Sequence, residues 1–237
     1  MRQAGHEVGI RREWLAQRIV ELKARWAAPE RVRPYEDVQG QRATTMIYGK
    51  RVRLRAIERE DTPTFVRWLN DPEVRQYLPM YEPISRARQE RWFESSLEWR
   101  DDLLFAIEAW VENGWVLIGR LGLRGVDRKN RVAALGIILG EKAYWGQGFG
   151  TDATRTALAF AFGELNLHRV ELEVFDFNPR AMRCYEKAGF RYEGIRRQAF
   201  FRNGRYHDIH LMAILDSEFV GSGNEERSRC PDEQEMA

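Results

Sequence analysis

The chain reads as an α/β (α+β) protein: a mixed, mostly antiparallel sheet flanked by helices, with one βαβ crossover in its second half. Three observations predict this. Several short apolar runs of strand length precede the centre, two of them joined by a hairpin signal. Three glycines at alternate positions, Gly146, Gly148 and Gly150, then separate an apolar run from a stretch with helical spacing. A second strand-and-helix pair follows at once, as a crossover back to the same sheet requires.

Taken in order, residues 13–26 place Trp14, Leu15, Ile19, Leu22 and Trp26 on one helical stripe, and a polar linker follows. Residues 1–45 are expected to be an extension outside the domain. In residues 52–57, Val52, Leu54 and Ala56 alternate against Arg51, Arg53 and Arg55, the period of a strand. Glu60-Asp61-Thr62-Pro63 starts a helix over 64–69, with Pro63 suited to its first turn. That helix stops near Asn70-Asp71-Pro72, and a further helix covers 85–99. Apolar runs at 103–110 and 115–123 meet at Glu112-Asn113-Gly114, a hairpin turn. Val132–Leu139 has the length and Ile and Leu content of a buried strand. After the glycines, Thr151 leads into a helix carrying Ala153, Ala157, Leu158, Phe160 and Ala161 on its inner face. Residues 170–175 form the crossover strand, and Asn178-Pro179 opens a helix that Gly189 ends. Asn203-Gly204 marks a late hairpin. The domain is therefore expected over 46–220, and the polar, proline-containing residues 221–237 read as a disordered tail.

Composition narrows the function. With 237 residues, 43% of them hydrophobic and 31% charged, the chain can bury a sizeable core. No apolar run approaches the roughly 20 residues that span a bilayer, so no membrane partner is expected. A net charge of +2, from 38 basic and 36 acidic groups, gives no general case for nucleic acid. Cys184 and Cys230 are too few for a disulfide framework or a zinc site, so a cytoplasmic location and no metal are expected.

The glycine run carries chemistry. A strand feeding a glycine-rich loop and then a helix aims several backbone N–H groups in one direction. With the positive end of the helix dipole they make an anion site suited to phosphate or pyrophosphate. A tight turn with small residues for packing is the plainer reading, and three alternating glycines tip the balance to a phosphate site.

The strings LGIIL, YWGQGFGTDA, LNLHRVELEV and above all NPRAMRCYEKAGFRYEG resemble the acetyl-CoA core of the GNAT superfamily of N-acyltransferases. Within it they are similar to the RimJ/RimL-like branch, which holds ribosomal-protein and spermidine N-acetyltransferases. The likeness extends from the strand and helix near residue 46 to FFRNGRYHDIHLMAIL near the end. It implies a GNAT fold and acetyl transfer from acetyl-CoA to a primary amine, with a protein N-terminal α-amine favoured as acceptor. A polyamine or aminoglycoside is the alternative. The oligomeric state implied is monomer or homodimer. The cofactor residues implied are Ile137, Ile138 and Leu139 of the strand, where a backbone N–H would polarise the thioester. Trp145, Gly146, Gln147, Gly148, Phe149, Gly150 and Thr151 form the loop, and Asn178, Ala181 and Tyr185 come from the later helix. The family's loop usually begins with Arg or Gln where this chain has Trp145; Gln147 is expected to supply part of that polar contact.

Tyr185 matches the tyrosine that acts as general acid in many members; without that motif a core residue of an amphipathic helix is the preferred reading, and with it the acid role is. The general base is harder to assign. Many relatives carry a glutamate at the position of Ala134, leaving Glu171 and Glu173, on one face of the next strand, with Glu173 preferred and a water chain as the substitute. His207 and His210, three apart on a strand, point to opposite faces and make no metal pair. Residues 75–83 are expected to line the acceptor pocket. Two other classes remain: a catalytically silent acetyl-CoA-binding module, and a dinucleotide-binding oxidoreductase, ranked far below because its glycines should follow a first parallel strand.

Overall fold

In the computed structural model of the chain, residues 46–112 and 114–220 are described. The stripe predicted at 13–26 and the tail after 220 lie outside them. Among the described residues there are eight strands, β1 (Ile47–Tyr48), β2 (Val52–Ala56), β3 (Leu103–Val111), β4 (Gly114–Asp127), β5 (Val132–Leu139), β6 (Arg169–Phe175), β7 (Arg191–Arg202) and β8 (Arg205–Leu215). The helices are α1 (Thr62–Asn70), α2 (Pro72–Arg75), α3 (Arg86–Ser96), α4 (Phe149–Gly163) and α5 (Pro179–Ala188). One sheet runs β1-β2-β3-β4-β5-β6-β8-β7, and only β5 and β6 are parallel. That is the mixed, mostly antiparallel sheet the sequence predicts.

Helices cover both faces. Ala153, Ala157, Leu158 and Ala161 of α4 pack into the main core with Leu54, Ile107, Leu123, Val170 and Ile214. On the other face Phe65, Trp68 and Leu69 of α1 pack with Val74, Leu78 and Ile84. Burial of each large side chain contributes about 1.5–3 kcal/mol. The Trp68 indole lies so close to the backbone at Gly140 that a Cβ there would sit 1.9 Å from its Cδ2.

Two-faced cover reaches the charged face of β2 as well. Arg53 and Arg55, which alternate with the apolar residues of that strand, are both shielded, with side-chain exposures of 11% and 15%. They are tolerated because carboxylates come with them. Glu108 of β3 accepts from Arg53 Nε at 2.5 Å and Arg55 Nε at 2.8 Å, and Asp61 takes Arg55 at 2.7 and 2.9 Å. The departures from expectation are local. α3 ends at Ser96 and not Trp99, because residues 97–99 bond three residues back, bringing Trp99 against Trp92. α1 takes in Thr62 and Pro63, and α4 starts at Phe149, two residues before Thr151. The short β1 and α2 had no separate signal. Asp71 caps α2 by accepting from the Glu73 amide at 2.8 Å.

The site is created by a fork in this sheet. β5 and β6 pair only at Val132↔Arg169, Ala133↔Val170 and Ala134↔Glu171, and then separate, although both strands run on. β4 stays with β5 as far as Gly119↔Leu139, and β8 stays with β6 to Phe175↔Ile209. The opening is therefore a parting of two half-sheets.

Candidate active site

The loop entering α4 is built for an anion. Gly148 takes the N-cap position at φ 85° and Gly146 has φ 75°, both left-handed values that residues with a Cβ adopt only at a cost. The first intrahelical bond is Asp152 N–H to the Gly148 carbonyl at 3.0 Å, so the amides of residues 149–151 precede any helical partner. The Asp152 carboxylate is engaged elsewhere, accepting from the amides of Lys50 at 3.1 Å and Arg51 at 2.7 Å. This ties the loop to the β1–β2 turn. Arg51 also lies 4.3 Å over the Phe149 ring and donates to the Gln147 carbonyl.

Between the two half-sheets lies a cleft of about 960 Å³. One wall is the edge of β5 that faces β6, which beyond Ala134 has no strand paired to it on that side. Such an edge can hydrogen-bond an extended arm and place an N–H against a carbonyl oxygen. Ile137, Ile138 and Leu139 line the cleft, together with Trp145, Gly146, Gly148, Gly150 and Thr151 of the glycine loop and Asn178, Ala181 and Tyr185 from the start and body of α5. A phosphate-bearing thioester matches these groups: amides for the phosphates, an open strand edge for the arm.

Two residues expected at the cofactor turn their side chains away, leaving only their backbone toward the loop's anion site. Phe149 is buried in the main core, edge-on to Tyr144 at 5.6 Å, because the helix begins there and points its ring inward. The Gln147 side chain folds back, its Nε2 donating to the Ala143 carbonyl at 2.6 Å, so its amide does not take over the polar contact that Trp145 lacks. The indole of Trp145 donates to the Leu139 carbonyl at 2.8 Å, locking the loop onto the end of β5. Its ring supports Arg180, whose guanidinium carbon sits 3.9 Å above it and 5.1 Å from the Tyr77 ring. Arg180 lines the cleft beside the glycines. Sequence reasoning passed over it, although it lies inside the most specific string, where a cation at the start of α5 was the available signal.

Tyr185 is 6% exposed, with its ring 5.8 Å from that of Phe190. Burial pushes its phenol far above the usual tyrosine value, so it enters any reaction at neutral pH as O–H, a proton donor. Asn178 caps α5, accepting from the Ala181 amide at 3.2 Å, and also faces the cleft. Cys184 rests against the start of α4, with Thr151 Oγ1 3.4 Å from its Sγ, and burial raises its thiol.

The candidate bases are already paired. Glu173 forms an ion pair with Arg196 at the exposed rim. Glu171 meets Arg169 Nε at 3.2 Å, and the same guanidinium clasps Glu193. His207 is buried against Asp176 at 2.9 Å, whereas His210 stands beside the Tyr192 ring; the two share no partner. His168 meets Asp216 at 3.1 Å. Tyr77, Leu78, Pro79 and Met80 line the cleft from the loop expected there. Arg202 holds that loop by donating to the carbonyls of Arg75, Gln76 and Met80 at 3.2, 2.7 and 2.7 Å. Two further residues that the sequence reading missed come from β4: Arg124 lines the cleft, and Arg120 lines a smaller cavity beside it.

Comparison with known proteins agrees with this geometry. The family model for the acetyltransferase (GNAT) domain matches residues 51–191. The spermidine N(1)-acetyltransferase of Vibrio cholerae serotype O1 is 32% identical over 168 residues, covering 70% of this chain and 94% of that protein. An uncharacterized N-acetyltransferase, p20 of Bacillus licheniformis, is 29% identical over 179 residues, covering 74% of this chain and 98% of its own. Among solved structures, the Vibrio cholerae spermidine N-acetyltransferase in complex with CoA and spermine superposes with a TM-score of 0.65 at 32% identity. It covers 71% of this chain and 97% of that one.

Proposed function

This chain belongs to the GNAT acetyltransferase family and is an N-acetyltransferase, and on that premise we propose that it moves the acetyl group of acetyl-CoA to the α-amine of a protein N-terminus. The observation that carries the acceptor reading is the charge of the cleft. Glu171, Glu173 and Glu193 are each engaged by Arg169 or Arg196, and the cleft lining adds Arg124, Arg180 and Arg183. A polyamine, with several cationic amines, needs unpaired carboxylates and meets guanidinia instead. A peptide N-terminus brings one amine and a backbone.

In this reading the amides of residues 149–151 and the Arg180 guanidinium take the phosphates, and the open edge of β5 takes the arm. An N–H of that edge polarises the thioester carbonyl and holds the negative charge that develops on its oxygen. The amine nitrogen attacks the carbonyl carbon, so that a C–N bond forms and the C–S bond breaks. The departing sulfur takes the Tyr185 phenolic proton, and the proton lost by the amine restores it through water or Glu173. Positioning two reactants in one cleft supplies much of the rate.

The polyamine reading is favoured by a different observation: the Vibrio cholerae relatives above are spermidine acetyltransferases. Steady-state kcat/KM on a set of N-terminal peptides and on spermidine separates the two. At least tenfold preference for a peptide is expected, and an equal preference for spermidine overturns the acceptor assignment.

A further inference from the structure

The β4–β5 ladder has an unusual front face. Its register pairs Arg120 with Ile138, Gly122 with Gly136 and Arg124 with Ala134. These β4 positions are two apart and so share a face. The middle pair has no side chain on either strand; Leu104 packs over Gly122, where a Cβ would meet its Cδ2 at 2.9 Å, so the trough between the two arginines lies on the Gly136 side. Beside the trough lies a side cavity of about 190 Å³, walled by Trp92, Trp99, Leu104 and Met80, and it shares Met80, Arg124, Gly136 and Ile138 with the lining of the main cleft.

Arg120 is out of place there by ordinary rules. Its guanidinium stacks 4.6 Å from the Trp92 ring and 5.4 Å from the Phe65 ring, and its buried Nη1 has no hydrogen-bond partner among the described residues. Burial, helped by the like charge of Arg124, lowers it to about 10, so it remains a cation at neutral pH. Arg124 leans over the trough as well, since a Cβ at Gly136 would meet its Nη2 at 3.3 Å. The one carboxylate lining the cavity, Asp102, is turned to the amide of Gly125 at 2.8 Å. The residue as a whole is half-buried, but a buried guanidinium N–H without a partner costs stability unless a ligand completes it. An aromatic-walled cavity of this size, with a fork of N–H donors at its end, suits a planar anion.

We propose that this trough is an acceptor subsite, in which Arg120 and Arg124 bind a carboxylate borne by the substrate beside its reacting amine. The inference deepens the N-terminal reading and rests on it: the favoured acceptor is a peptide whose first side chain is acidic. A free amino dicarboxylate presents the same chemistry.

The test compares kcat/KM for three peptides that differ only in a first residue of Glu, Gln or Lys, together with free glutamate, in wild type and Arg120→Met. A hydrogen bond to a charged group predicts that the Glu peptide exceeds the Gln peptide by about 10- to 100-fold. In Arg120→Met that ratio collapses toward one, while the melting temperature does not fall, because the unpaired charge is gone. Arg124→Gln, at an exposed position, lowers the ratio by a smaller factor and guards against a folding artefact. A better rate on free glutamate than on the peptide keeps the subsite and moves the acceptor to a free amino acid. Equal turnover of the Glu and Gln peptides by wild type overturns the proposal. Should no amine turn over, the functional reading fails, and calorimetric titration with N-acetyl-glutamyl amide against N-acetyl-glutaminyl amide decides the subsite. Equal binding of the two amides overturns it, and tighter acidic binding that Arg120→Met abolishes upholds it.

Discussion

Replacement of Tyr185 by phenylalanine removes one oxygen from the cleft and leaves the packing against Phe190 in place. The phenol has no hydrogen-bonded protein partner among the described residues, so the variant is expected to keep its melting temperature within the few degrees that about 1 kcal/mol represents at this length. Its effect on chemistry should be much larger. Proton donation to a leaving group contributes about 10²- to 10⁴-fold, or roughly 3–5 kcal/mol of barrier. The lower end applies here, because the cleft opens past the exposed Glu173 and Arg196 and water can replace part of the donor. We therefore expect kcat to fall about 100-fold with little change in KM for acetyl-CoA. The sign of the pH dependence follows from burial. The folded phenol titrates above the free value of about 10, so the proton donor stays loaded at neutral and mildly alkaline pH. In wild type, kcat should rise with loss of the amine proton and then hold level to about pH 10. Thiol release, followed with a thiol-reactive dye under saturating acceptor, measures both quantities. A variant within about threefold of wild type in kcat, with unchanged stability, refutes the acid assignment.

Three further outcomes follow from the same geometry. Glu108→Gln leaves Arg53 without its carboxylate in a site about 10% exposed, a loss of about 3–5 kcal/mol or roughly 6–20 °C in melting temperature. Glu94→Gln, whose Arg59 pair is more than half exposed, should cost at most about 1 kcal/mol, and equal losses in scanning calorimetry would contradict the burial argument. Gly148→Ala must hold φ 85° and bring a Cβ to 3.1 Å from Arg51 Nη2, a strain of about 1–2 kcal/mol. Calorimetric titration should find acetyl-CoA binding weakened by about tenfold or more in that variant, and unchanged affinity would remove the loop from the phosphate site.

Much of this architecture is legible along the chain, because its signals are local. Asn178-Pro179 and Gly189 bound α5, and Asn203 and Gly204 take the positive φ values of a tight hairpin. Val132–Leu139 was readable as a strand because it is apolar throughout, as a strand inside a covered sheet must be. What escaped depends on partners distant in sequence. Arg53 and Arg55 are only the charged half of an alternating strand until Glu108, more than 50 positions away, is seen to neutralise them. The fork after Ala134 has no signature of its own, because both strands keep their apolar pattern past the point of parting. Trp145 looked like the loss of a polar contact, and only the fold reveals that it carries Arg180 into the cleft. The alternation Arg120, Gly122, Arg124 inside an apolar strand was a visible cue to a functional face, but it became a trough only once Gly136 was seen opposite.

The central claim is that the fork holds acetyl-CoA and passes its acetyl group to an amine. Incubation with acetyl-CoA and a peptide panel, with thiol release and peptide mass read from the same reaction, tests it most directly. The account predicts stoichiometric CoA release and one acetyl group gained on a peptide α-amine, both strongly reduced in Tyr185→Phe. Acetyl-CoA that binds yet yields no acetylated amine from peptide, amino acid or polyamine would contradict it.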